Sequence, residues 1–172
     1  AVRYDKNLMF IFEPDDILNA KKQGKVGVII GAQSCDFILH NDIEASVQAH
    51  HMMGLRMMCI AYNHRSFAAD GCYTGTNAGI TNDGRKMIRA MQKYGITVDL
   101  SHVGELSTLE AMDMSERPVV FSHSNPRGLF EHPRNVTDEQ ARKCAATGGV
   151  VGVTSYPVTM WDGEHFPTID KF

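Results

Sequence analysis

The chain has 172 residues, of which 43% are hydrophobic and 22% are charged, and its formal net charge is −3. This composition is typical of a globular domain, and the absence of a basic run argues against binding to nucleic acid or to an anionic membrane surface. No apolar stretch reaches the ~20 residues of a membrane-spanning helix, so no membrane segment is predicted. The four cysteines form no Cys-x-x-Cys pair, which argues against a zinc ribbon and a disulfide framework. A cytoplasmic location is favoured over secretion.

Helical and extended patterns alternate along the chain. Helices are predicted over residues 15–23, 42–53, 81–94, 105–114 and 137–146. Strands are predicted over residues 26–32, 57–62, 96–100, 119–121 and 150–155. The segment 26–32 is so continuously apolar that we expect a strand buried on both faces.

This alternation indicates βαβ units and a parallel sheet, and therefore an α/β fold. Two architectures remain open: a doubly wound sheet and a (β/α)8 TIM-type barrel. No Gly-x-Gly-x-x-Gly follows any predicted strand, which weakens the doubly wound interpretation. A whole barrel needs about 250 residues, so the barrel interpretation leaves about five of the eight βα units in this chain.

Two predicted strands end on the same dipeptide, Ser101-His102 and Ser122-His123. Ligand sites of parallel α/β folds lie at the carboxyl ends of the strands, and imidazole is a common zinc ligand. His102 and His123 are therefore predicted to hold a metal ion. Gln33, Tyr62-Asn63 and Tyr156 end the other strands on the same rim. Because a catalytic zinc usually has three protein ligands, the rest must come from Gln33, from acidic loop residues or from outside this chain.

A second polar cluster follows the second of these histidines, and its members are Arg127, His132, Arg134 and Asn135. An arginine such as Arg134 can bind a substrate carboxylate through two parallel hydrogen bonds, although a solvated loop charge is the alternative. Cys35 is either a thiol ligand or nucleophile, or a small buried apolar residue. The other histidines lack strand-end placement and are interpreted as structural or surface residues: His40, His50, His51 and His165.

The motifs together resemble the renal or membrane dipeptidase family, which comprises zinc peptidases with an amidohydrolase-like barrel. The resemblance extends over residues 15–156. It rests on Gly54-Leu55-Arg56-Met57-Met58, Val98-Asp99-Leu100-Ser101-His102, Val119-Val120-Phe121-Ser122-His123-Ser124, Arg134-Asn135-Val136 and Gly148-Gly149-Val150-Val151.

The resemblance implies a (β/α)8 barrel with two zinc ions, of which this protein would hold one or both. It makes His102 and His123 ligands of one zinc and Arg134 the group that binds the C-terminal carboxylate of the substrate. The catalytic aspartate of the family belongs to the last strand, so no catalytic residue is expected within this chain. Residues 1–172 would then be the central part of a single metal-dependent hydrolase barrel domain whose first and last strands are missing.

Two positions depart from the family pattern. Gln33 stands where the family has its metal-bridging glutamate, and Tyr62 replaces a substrate-polarising histidine, which makes it a candidate substrate-binding residue. Gln and Tyr-Asn at these positions resemble a bacterial type of the family. A neutral amide offsets the charge of two cations less well than a carboxylate, so Gln33 is a doubtful ligand.

The sequence thus predicts a metallohydrolase that cleaves a dipeptide or a related amide by metal-activated water, with this segment inactive by itself. The alternative, which Gln33 favours, is a metal-poor barrel that serves as a small-molecule binding protein. A third interpretation is a doubly wound domain with unrelated Ser-His ends. The predicted partner is a small dipeptide-like substrate, and assembly into a homo-oligomer stays open.

Overall fold

The computed structural model describes residues 5–161, 164, 168 and 169. The strands are β1 (Leu8–Phe10), β2 (Val26–Val28), β3 (Ile30–Ala32), β4 (Leu55–Cys59), β5 (Thr97–Asp99), β6 (Val120–Phe121) and β7 (Val150–Val151). The helices are α1 (Pro14–Lys22), α2 (Ile43–Met52), α3 (Asn82–Tyr94), α4 (Glu105–Met114) and α5 (Asp138–Ala146), followed by a short 3-10 helix (Pro157–Thr159). None of the helices in the described part of the chain combines the length and the apolar character that spanning a membrane requires.

All strand pairs are parallel. The main sheet has the order β3-β4-β5-β6-β7, and β1 and β2 form a separate pair. Strand order therefore follows chain order throughout, whereas a doubly wound sheet reverses its order at a switch point. This progression is that of a partial (β/α)8 barrel, and it confirms the predicted fold class. It also brings the carboxyl ends of β3 to β6 to one rim.

The prediction of one buried strand over residues 26–32 is wrong. The chain changes partners at Ile29, since β2 pairs with β1 and β3 pairs with β4. Val26 is 63% exposed and Ile29 is 51% exposed, because nothing in the described part of the chain packs over them. The three residues of β1 were not predicted, since so short a strand shows no periodicity in the sequence.

The last predicted strand is also shorter than expected. β7 has two residues, and β6, its neighbour in the described part of the chain, offers two residues to pair with. Tyr156 consequently does not end a strand. It lies just before the 3-10 helix and is 56% exposed.

Local signals fix the helix boundaries as the sequence predicts. Thr81 caps α3 by accepting a hydrogen bond from the amide of Gly84 at 2.9 Å, and Gly95 ends the helix in the left-handed conformation with φ 84°. Thr137 and Gln140 form a capping box at the start of α5. The core lies between the sheet and the helices, and its largest buried side chains include Met58, Met87, Ile88, Met91, Val98 and Phe121. This packing holds the strand ends that carry the polar residues.

Candidate metal and substrate site

His102 and His123 follow β5 and β6 and lie side by side at the carboxyl rim. Their Nε2 atoms are 2.8 Å apart and their ring centroids are 4.8 Å apart. The parallel pairing of β5 with β6 produces this proximity, because matched strand ends meet at one edge of a sheet. The structure thus brings the two predicted ligands within reach of a single ion.

The backbone of His102 is strained. Its φ is 70°, in the left-handed region, where a residue with a Cβ costs about 1–2 kcal/mol. The surrounding loop holds it there: the amide of Cys72 donates to the His102 carbonyl at 2.8 Å, and the ring Nδ1 donates to Asn63 Oδ1 at 2.7 Å. Strain of this kind concentrates at functional sites.

The imidazoles are arranged so that their Nε2 atoms face the centre of the site. Nδ1 of His102 is bonded to Asn63, and Nδ1 of His123 lies 2.6 Å from Ser122 Oγ. Arg134 Nη2 donates to His102 Nε2 at 3.3 Å, so that nitrogen carries a lone pair. Metal-binding histidines usually have their second ring nitrogen bonded in this way.

Both histidines are neutral at pH 7. Burial, together with the charges of Arg134 and His123, lowers the pKa of His102 to about 3. Burial and then Arg134 also lower the pKa of His123 below its usual range. Metal binding requires neutral imidazole, so the site is kept in the form that binds metal.

These residues fit part of a metal site. Two ligands of a tetrahedral zinc at about 2.0–2.1 Å lie about 3.3 Å apart, so the 2.8 Å separation of the Nε2 atoms needs to open by only about half an ångström. Within residues 5–161, 164, 168 and 169, no group of three His, Cys, Asp or Glu side chains could hold an ion. The described residues therefore offer two imidazole ligands, and any further ligand is of another type or comes from outside them.

Gln33 is adjacent to this pair. Its Nε2 lies 3.3 Å from His123 Nε2, which places the amide at the rim as the sequence predicts. A half-turn of the amide would bring Oε1 to the same position. Tyr62 is stacked on His102, with ring centroids 4.1 Å apart and an interplanar angle of 27°, and its ring is half-exposed toward the rim.

Arg134 is buried without an acidic partner. Only 7% of the residue is exposed, and Nη2 donates to the His123 carbonyl at 3.1 Å as well as to His102. No carboxylate of the described residues lies within ion-pair distance of the guanidinium. Burial of an unpaired charge is unfavourable in free energy, so an anion bound beside Arg134 would be stabilised.

The rest of the predicted loop cluster has structural roles. Arg127 pairs with Glu105 at 2.7 Å, and the Asn135 side chain donates to two backbone carbonyls. Cys35 is buried, donates to the Ile60 carbonyl at 3.0 Å and has a pKa raised to about 11 by burial, which supports the apolar interpretation.

The other histidines lie outside the site where the structure describes them. The His40 ring packs against the Phe67 ring in a tilted arrangement, with centroids 4.1 Å apart, and the His50 ring bonds the Ser46 carbonyl at 2.8 Å. His165 lies outside the described residues. All four cysteines, Cys35, Cys59, Cys72 and Cys144, are free thiols.

Sequence reasoning assigned no role to three residues that shape this site. Asn63 bonds the ring of His102, while Asp99 and Ser122 lie next to His123. A signal was available for the last two, because Asp99 precedes His102 by three residues and Ser122 precedes His123 directly. Asn63 was predicted at a strand end on the rim, but nothing in the sequence pairs it with a histidine 39 positions away.

The strand order and the paired imidazoles at the carboxyl rim are those of a partial α/β barrel with a candidate metal site. The family model described as membrane dipeptidase, peptidase family M19, matches residues 1–172, and the chain belongs to this family. Membership implies a metal cofactor.

Similar proteins support this assignment. An amidohydrolase from Pseudomonas aeruginosa of known structure is 34% identical, with a TM-score of 0.85 over 92% of this chain and 48% of that chain. An uncharacterized dipeptidase of Schizosaccharomyces pombe is 38% identical over 120 residues, which is 69% of this chain and 29% of the relative.

A third relative shows the fold alone. It is a metallo peptidase from Rhodobacter sphaeroides that is liganded with a phosphinate mimic of the dipeptide L-Ala-D-Ala, at 24% identity and a TM-score of 0.79 over 86% of this chain and 43% of that chain. The chain spans less than half the length of each of these relatives.

Proposed function

We propose that the complete protein is a metal-dependent dipeptidase and that its metal is zinc. One observation carries the proposal: two neutral imidazoles direct their Nε2 atoms at one point, 2.8 Å apart, beside a buried arginine that lacks an acidic partner. The two imidazoles can bind a cation, and the guanidinium beside them can bind an anion. A dipeptide has the matching chemistry, an amide carbonyl close to a free carboxylate.

Each residue of this chain has a distinct task in the proposed reaction. His102 and His123 hold the ion, and Arg134 binds the C-terminal carboxylate of the dipeptide through charge-assisted hydrogen bonds. Tyr62 covers one face of His102 and presents its exposed side to the substrate. Zinc, when bound, would lower the pKa of a water molecule and polarise the carbonyl of the substrate. The substrate class is also supported by the dipeptide mimic held by the Rhodobacter sphaeroides relative.

Metal removal tests this function. The complete protein is expected to hydrolyse dipeptides, to lose that activity on dialysis against a chelator and to regain it with stoichiometric zinc. Elemental analysis before and after dialysis shows whether the metal has left. Full activity in a preparation shown to be free of metal would contradict the proposal, and so would a zinc-loaded protein that cleaves no dipeptide.

Gln33 is the residue that the alternative of a metal-poor binding protein depends on, an alternative that membership of the dipeptidase family does not favour. An amide beside His123 adds no charge to balance a second cation, so the wild type is expected to bind fewer than two zinc ions tightly. Gln33→Glu is expected to raise the zinc stoichiometry measured by elemental analysis. Gln48→Glu, an exposed position on α2, adds the same charge away from the rim and serves as the control. Two tightly bound ions in the wild type would contradict this account of the amide.

A further inference from the structure

We propose that Asp99 is a positioning residue, which acts through Ser122 to fix the tautomer of His123 and so aims its Nε2 lone pair at the metal. The inference rests on the proposed function for its metal, but the tautomer itself is a property of the metal-free chain. The carboxylate, the serine hydroxyl and the imidazole form one continuous line of hydrogen bonds across the ends of β5 and β6.

The first step concerns Asp99, which is buried at the carboxyl end of β5. Its Oδ1 accepts the backbone amides of Ser101 and Ser122, each at 3.0 Å, and its Oδ2 accepts a short hydrogen bond from the Ser122 hydroxyl. No lysine, arginine or histidine of the described residues forms an ion pair with it. The ionised carboxylate is thus held by donors alone, and it can only accept.

The second step concerns the single hydroxyl hydrogen of Ser122. Because Asp99 can only accept, that hydrogen lies between Ser122 Oγ and the carboxylate. Ser122 Oγ is also 2.6 Å from Nδ1 of His123. Since its one hydrogen is used for Asp99, the oxygen can only accept a hydrogen bond from Nδ1. Nδ1 therefore carries the hydrogen and Nε2 carries the lone pair. Two lone pairs then face each other across the 2.8 Å between Nε2 of His123 and Nε2 of His102, a contact that is favourable only with a cation between them.

The third step is a comparison of the two histidines. Nδ1 of His102 meets the neutral amide oxygen of Asn63, whereas Nδ1 of His123 is linked through a hydroxyl to a full negative charge. A carboxylate behind a metal-binding histidine raises the basicity of the ligand and fixes its ring. His123 is therefore the stronger donor of the pair, although Asp99 does not touch it.

Ser122→Ala tests the inference, because it removes the hydroxyl and leaves both backbone bonds to Asp99. In the metal-free chain, the nitrogen-15 shifts of His123 are expected to change from the pure Nδ1–H tautomer to a mixture. The zinc dissociation constant of the complete protein is expected to rise about 10–100-fold, the usual effect of losing such a partner. Ser122→Thr, which restores the hydroxyl, is expected to recover both values.

Ser124→Ala is the matched control. Ser124 is a buried serine one residue beyond His123, and its hydroxyl has no partner in the described part of the chain. Its removal is expected to leave the tautomer and the zinc affinity unchanged. Asp99→Asn should reproduce the Ser122→Ala shifts, and if it fails to fold, the Ser122 variants decide the question.

Two outcomes separate the inference from the function on which it rests. If His123 keeps the Nδ1–H tautomer in Ser122→Ala and zinc affinity is unchanged, the positioning role is overturned. If Ser122→Ala alters the tautomer but the wild type binds no zinc, the positioning role stands and the proposed metal function fails.

Discussion

Replacement of His102 or His123 by alanine is expected to weaken zinc binding by more than ~100-fold. Loss of a residue that merely hydrogen-bonds a metal ligand weakens binding by up to about 100-fold, and loss of the ligand itself should cost more. Each substitution leaves one imidazole where two now converge with Nε2 atoms 2.8 Å apart. Dipeptide hydrolysis by the complete protein should fall with the metal. Competition with a chromophoric chelator measures the affinity, and elemental analysis measures the occupancy.

His102→Gly distinguishes loss of a ligand from loss of the fold. The left-handed backbone of His102 suits glycine better than alanine, by roughly 1 kcal/mol in the free energy of unfolding. The glycine variant should therefore be the more stable of the two and equally unable to bind zinc. His51→Ala, on α2, is the control and should bind zinc like the wild type. Tight zinc binding by His102→Gly would remove this histidine from the proposed ligands.

Arg134→Lys is expected to lower kcat/KM for a dipeptide roughly 10–100-fold, which corresponds to about 1.5–3 kcal/mol for a hydrogen bond to a charged group. Lysine keeps the positive charge but cannot form two parallel bonds to one carboxylate. The same dipeptide with an amidated C-terminus should lose little, because it has no carboxylate to bind. The experiment therefore compares kcat/KM for the dipeptide and its amide in the wild type and in Arg134→Lys, with the zinc content of each protein measured.

Equal losses on both substrates would contradict the role of Arg134 in binding the carboxylate. Arg127→Lys is a useful companion, since Arg127 is a loop arginine whose charge is already paired with Glu105. Arg127→Lys should change kcat/KM by the same factor for the dipeptide and for its amidated form. A difference between the substrates that is confined to Arg134→Lys would assign the carboxylate to this guanidinium.

The sequence predicts the rim better than it predicts the strands that form it. Ser101-His102 and Ser122-His123 reveal the site because each closes an apolar run, and chain order then brings neighbouring runs together. The prediction of a buried strand at Val26 and Ile29 failed because hydrophobicity indicates only that a residue can be buried. Whether it is buried depends on the strands and helices that pack against it. The three residues of β1 are defined only by their ladder with β2.

Distances in the chain explain which contacts escaped prediction. Asn63 and His102 lie 39 positions apart, and although the sequence places both at strand ends, no pattern in a single sequence reports that the two side chains bond. Arg134 was predicted as a loop residue near the site, but its burial without an acidic partner follows from packing and is visible only in three dimensions.

The contact between Arg134 and His102 couples the two binding events of the site. Nη2 now donates to the nitrogen that a metal ion would use, at 3.3 Å, so an ion can enter only as that hydrogen bond is given up. Entry of an ion would free the guanidinium and leave two positive charges near each other. A substrate carboxylate would then relieve the repulsion, and linkage would require that substrate tighten metal binding by the same factor by which metal tightens substrate binding.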